Sequence, residues 1–151
     1  MPVWMVELFG NARLNQAFLY LNLMVVPFWL SMLLFPGNPV VRRLANPFFV
    51  PAVLAVVYLY AVYLLVTITG VPPLVGIELR AMRKFIDHPL VFLVVWSHYL
   101  VIDLFLGMVI FQDACKRKIR APVELLLCWF FGPVGLLAYV TRLVIRKFTL
   151  R

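Results

Sequence analysis

Long apolar stretches alternate with short polar ones along this chain, and the apolar stretches set its architecture. Four runs stand out, at residues 17–35, 48–68, 90–111 and 123–145. Each has about 20 residues, enough for a helix to cross a hydrocarbon core about 30 Å thick. Backbone in lipid must satisfy its own hydrogen bonds, so runs of this length are helices. The pattern predicts an all-α integral membrane four-helix bundle, one transmembrane domain over residues 1–151. Pro36-Gly37-Asn38-Pro39 closes the first run, and Pro47 and Pro51 open the second.

Two runs carry an internal proline. Pro27 removes the bond to the carbonyl of Leu23, and Pro133 the bond to that of Trp129, so the first and fourth helices are expected to be kinked. Gly132-Pro133-Val134-Gly135 also lets a neighbouring helix come close. The longest connection, 70–89, mixes Glu78, Arg80, Arg83, Lys84, Asp87 and His88 with Leu79, Met82, Phe85 and Ile86. Its segment 78–87 reads equally as a short amphipathic helix at the interface or as an irregular solvated loop.

Composition agrees with this pattern. The chain is 65% hydrophobic and 13% charged, with mean hydropathy +1.01, against about 45–50% and 25% in soluble domains. The net charge of +8 lies between apolar runs, where Lys and Arg sit beside lipid phosphates. Membrane lipids are the expected partners; no nucleic-acid module is visible. Four crossings would put both termini on one face. That face, with loop 70–89, would hold Arg13, Arg80, Arg83, Lys84, Arg142, Arg146, Lys147 and Arg151. The other would hold Arg42, Arg43, Lys116, Arg117, Lys118 and Arg120, so the positive-inside rule tilts, at eight to six, towards cytoplasmic termini. The N-terminus has no signal or transit pattern, and the first run is expected to be a membrane helix. Cys115 and Cys128 lack metal-ligand spacing and read as two free thiols; no metal is expected.

The candidate chemistry is sparse. The stretch Trp96-Ser97-His98-Tyr99-Leu100-Val101-Ile102-Asp103-Leu104-Phe105 places an imidazole and a carboxyl in the middle of the third run. A charged Asp there costs about 2.5–3.5 kcal/mol on insertion scales. His98 and Asp103, five apart, point about 140° from each other and cannot pair directly. Aligning the runs by their midpoints places Asn22, Tyr60, Tyr63 and Tyr139 in the same half as His98, and places Asp103 level with Gly132 and Pro133. A plain packing role, with His98 donating to a carbonyl or tyrosine, stands beside any functional one. Asp113 and Glu124 lie near the basic cluster Lys116–Arg120, where solvated ion pairing is the default.

Several classes are excluded. Two histidines cannot supply the paired boxes of a membrane di-iron oxygenase, and no lysine lies within a run to hold retinal. A phosphate loop and a dinucleotide fingerprint are both absent. Acid and base chemistry in an oily pocket remains, or no chemistry.

Trp96-Ser97-His98-Tyr99-Leu100, then Asp103-Leu104-Phe105, Gly107 and Asp113, resembles the abscisic-acid-deficient-four-like family. So does the first run, with Asn22, Val26-Pro27-Phe28-Trp29-Leu30, Met32 and Pro36. In the fourth, the match is Gly132-Pro133-Val134-Gly135-Leu136-Leu137, Tyr139 and Arg142. The resemblance covers nearly the whole chain. It implies a role in carotenoid chemistry, since the plant member is a chloroplast membrane protein required for making neoxanthin. That conversion opens a ring epoxide and creates an allene, an isomerisation that needs no redox cofactor. An acid must protonate the epoxide oxygen, and a base must take a proton from the adjacent polyene carbon. Asp103 in its protonated form is the expected acid and His98 in its neutral form the expected base. Asn22, Trp29, Tyr60, Trp96 and Tyr139 are the expected contacts to a carotenoid or related polyprenoid entering from the bilayer. The loops around Glu78–His88 and Lys116–Arg120 depart from the plant form. The competing expectation is a non-catalytic accessory subunit of a photosynthetic or respiratory membrane complex, contacting other subunits, pigment or lipid; a small lipid-binding or assembly protein is a third.

Overall fold

A computed structural model of the chain describes residues 11–67 and 78–149. Segment 70–77 of the long loop, Ile68 at the end of the second run, Arg151 and the extreme N-terminus lie outside the described residues. Those described form seven helices and no strand: α1 (Asn11–Leu34), α2 (Pro39–Leu44), α3 (Val50–Thr67), α4 (Leu79–Ile86), α5 (Pro89–Lys116), α6 (Pro122–Phe131) and α7 (Pro133–Thr149). Pro27 lies inside α1.

α1, α3 and α5 are long and apolar enough to cross a membrane. Only 17%, 17% and 39% of their most apolar stretches are covered by protein. Apolar surface on this scale needs a covering, and a bilayer supplies one. These three helices fit a membrane protein.

The described residues fall into two compact units, one with residues up to Met24 and Leu54–Leu100, the other with Val25–Val53 and the chain from Val101 onward. In the first unit, Phe18 of α1 lies against Phe92 and Trp96 of α5, with ring centroids 6.2 and 5.4 Å away. Segment 78–87 takes the helical form: helical spacing in α4 sets Met82, Phe85 and Ile86 along one side and Arg80 and Lys84 along the other.

The second unit contains the main correction. Residues 123–145 are not one kinked helix. Gly132, at φ 38, stops α6, and Pro133, which has no N–H to lose, starts α7. The chain then doubles back. Arg142 of α7 donates to Glu124 Oε1 of α6 at 2.8 Å, whereas 18 residues of continuous helix would span about 27 Å. Gly135 sits directly on the Cys128 backbone N, so close that a Cβ there would collide with it. The two helices thus form a hairpin with its tip at Gly132.

α2 also escapes a reading based on apolar runs. Asn38 caps it, its side chain accepting from Val40 N, and Pro39 occupies the first turn. Its last carbonyls are satisfied from α5: Gln112 Nε2 donates to the carbonyls of Arg42 (2.6 Å) and Ala45 (2.9 Å). α5 ends in a Schellman cap, with Ile119 N donating to Ala114 O and Lys118 N to Cys115 O. Lys118 holds the left-handed position at φ 55, where a non-glycine residue costs about 1 kcal/mol.

Candidate functional site at the hairpin tip

Asp103 lies at the centre of α5, which runs from Pro89 to Lys116. Its partly buried carboxyl abuts Gly132 at the hairpin tip, in the space a Cβ on that residue would need. Only glycine allows this approach. Among the described residues, nothing hydrogen-bonds the Asp103 side chain. Its backbone carbonyl accepts from Cys128 Sγ of α6 at 3.5 Å. Placing Asp103 level with Gly132, as midpoint alignment did, matches this contact.

Below the tip, an aromatic layer fills the same unit. Trp29, 1% exposed, stacks on Trp129 with centroids 5.7 Å apart and planes 4° from parallel. The edge of the Trp29 ring lies over Gly107 of α5, too close for any Cβ. Trp29 is therefore covered by protein on the surfaces these neighbours take.

Two polar clusters flank the hairpin. Tyr139, buried in α7, donates to Asp113 Oδ2 at 2.8 Å, and Arg117 donates to the same oxygen at 2.6 Å. The pairing with Asp113 raises the pKa of the exposed Arg117 guanidinium. Glu124 is 6% exposed, not solvated as its place beside a basic loop suggested. Its Oε1 accepts from Arg142, while its Oε2 is buried with no hydrogen-bond partner among the described residues. Arg142 also donates to the carbonyl of Arg120 at 2.9 Å.

The other expected site residues belong to the first unit. Trp96 Nε1 donates to Asn22 Oδ1 at 3.3 Å, tying α5 to α1. Asn22 in turn donates to Phe18 O one turn back. His98 is exposed, with its ring 5.5 Å from that of Tyr58 and 6.3 Å from that of Tyr99. An imidazole this exposed is not enclosed in an oily pocket by its own chain. Tyr60 is 61% exposed. Sequence reading passed over Glu124, Arg142, Cys128 and Trp129 as a group. The usable signal was a lone acid and a lone base near opposite ends of one apolar run. Both thiols are free, and the described residues hold no cluster of three metal-ligating side chains.

These helices and this carboxyl define a small helical protein of the membrane type. The profile of the ABA DEFICIENT 4-like family matches residues 16–139, and the chain belongs to that family. It is 25% identical over 129 residues to the Arabidopsis thaliana "Protein ABA DEFICIENT 4, chloroplastic", a match covering 82% of this chain and 59% of that protein. The chain thus spans about three fifths of the relative's length. No solved structure matches.

Proposed function

We propose that this is a multi-pass membrane protein that acts on a carotenoid or related polyprenoid, with Asp103 as the proton donor of a cofactor-independent isomerisation. Family membership supports the substrate class. The observation that carries the chemistry is the position of Asp103: an acid at the centre of an apolar helix, unbonded, against a break in a neighbouring helix pair. Irregular backbone at membrane depth is tolerated only where it is buried in protein or lines a cavity, and such breaks are where membrane proteins place ligands. α6, with ten residues, is about 15 Å long, half a hydrocarbon core. In this reading α1, α3 and α5 cross the bilayer and the α6–α7 hairpin enters halfway, so its tip and Asp103 share the midplane.

The proton from Asp103 goes to the epoxide oxygen as the ring C–O bond breaks. Loss of a proton from the neighbouring polyene carbon then completes the allene, and the charges balance with no redox change. His98 is the base the sequence leads one to expect for that second proton, although its side chain points about 140° away from Asp103 along α5. Its exposure gives a lipid-borne substrate access to it, but equally favours the accessory-subunit reading, in which the His98, Tyr58 and Tyr99 rings form a contact surface.

The test is expression in a carotenoid-producing host followed by pigment chromatography. A new pigment that Asp103→Asn abolishes and Asp103→Glu partly restores supports the acid role; full conversion by Asp103→Asn removes it. His98→Ala is scored separately for the base. Absence of any new pigment, together with co-purification of fixed-ratio partners, favours the accessory subunit.

A further inference from the structure

Two adjoining cavities lie where the α1–α2 turn meets the loop after α5. The first holds about 450 Å³ and is walled by Met32, Leu33, Phe111 and Leu125. The second, about 460 Å³, carries Arg42, Lys116, Lys118 and Arg120, with no acidic residue in its lining. They meet at Cys115, Ile119 and Arg120. Both fall within the usual range for small-ligand sites, about 300–1,000 Å³.

The nearby acids form no close ion pair with these cations among the described residues. Asp113 is engaged by Arg117 and Tyr139 and feels Lys116 only as a weaker, longer-range charge, and Glu124 is engaged by Arg142. Lys118 keeps its place despite the left-handed backbone that glycine would adopt more easily, and Gln112 anchors the helix that carries Arg42. The charged mouth is therefore held by the fold. An apolar chamber opening directly into a four-cation mouth matches one kind of molecule: an acyl chain ending in a phosphate.

We infer that this paired cavity is a binding site for an anionic phospholipid, with the phosphodiester headgroup among Arg42, Lys116, Lys118 and Arg120 and one acyl chain against Phe111 and Leu125. The inference rests on the membrane reading above but not on the chemistry assigned to Asp103. It is read out with no pigment present, so the two fail independently.

Cys115 lines both chambers and is half-buried, whereas Cys128 is fully buried, so alkylation by a maleimide reports on the site. The experiment follows Cys115 alkylation in the purified chain in neutral detergent with added phosphatidylglycerol, phosphatidylcholine or inorganic phosphate. Phosphatidylglycerol is expected to slow alkylation at least fivefold relative to phosphatidylcholine, about the contribution of one basic residue near an anionic lipid. Inorganic phosphate is expected to give no protection. Lys118→Gly removes a cation while giving the cap its preferred residue, so the fold persists; it and Arg120→Gln should each erase most of the difference. Equal protection by the two lipids overturns the headgroup assignment. Protection by inorganic phosphate alone makes this a free-anion site and overturns the lipid. Undiminished preference in both variants, with helical content intact, overturns the placement.

Discussion

Arg142 reaches back across the hairpin to the carboxylate of Glu124, 18 positions earlier in the chain, and the 2.8 Å bond between them pins α7 to α6. The pair is unequal: the Glu124 side chain is 8% exposed and that of Arg142 40%. Removing the arginine strands a buried charge, whereas removing both groups does not. Arg142→Met is therefore expected to destabilise the protein by about 3 kcal/mol, and Glu124→Gln combined with Arg142→Met by clearly less. Thermal unfolding in detergent of the four members of the cycle checks this; equal losses in the single and the double variant would show that the buried charge is not the cause.

Gly132 faces two separate constraints. Its φ of 38 suits glycine, and the Asp103 carboxyl occupies the position of any Cβ. Gly132→Ala should cost roughly 2 kcal/mol or more, combining left-handed strain with overpacking. In an Asp103→Ala background the overpacking part should disappear and the strain remain. Melting temperatures of the two single variants and the double variant separate the contributions.

Acid should weaken the first unit through His88. Both of its ring nitrogens are shut off from solvent with no hydrogen-bond partner among the described residues, and burial holds its pKa below the ordinary value of 6.5. The folded state thus favours the neutral ring, while the unfolded chain takes up a proton as pH falls through about 6.5. This contribution to stability is complete above that pH and declines below it. His88→Leu should flatten the acid-side decline between about pH 7 and pH 5 relative to the parent chain, which unfolding midpoints across that range will reveal.

The three long helices were plain from hydropathy because their apolar runs are nearly unbroken and their length matches a bilayer. The hairpin was not. Residues 123–145 form an equally continuous apolar run, and a Gly-Pro pair signals a kink as readily as a reversal. What decides between them is a tertiary contact, Glu124 with Arg142, which periodicity does not encode. Asp103 was legible because a carboxyl in that setting is costly wherever it points. The exposure of His98 was not legible: α5 is apolar all round, so no amphipathic face tells which way a given residue turns. Asn22 and Trp96 were grouped with a substrate and in the structure bond each other, a packing role that the same residue types fill equally well.

The reversal at Gly132 also bears on which compartment each loop meets. If α1, α3 and α5 cross as proposed, the chain after α7 would return to the face that holds α2. Among the described residues, that topology would put Arg42, Arg43, Lys116, Arg117, Lys118, Arg120, Arg142, Arg146 and Lys147 on one side of the bilayer and Arg13, Arg80, Arg83 and Lys84 on the other. A near tie becomes nine to four, and translocation machinery reads such an excess as a decision. Reporter fusions after residues 44 and 149 should both register on the untranslocated side, and one placed within α4 on the other; opposite signals at 44 and 149 would restore a fourth crossing.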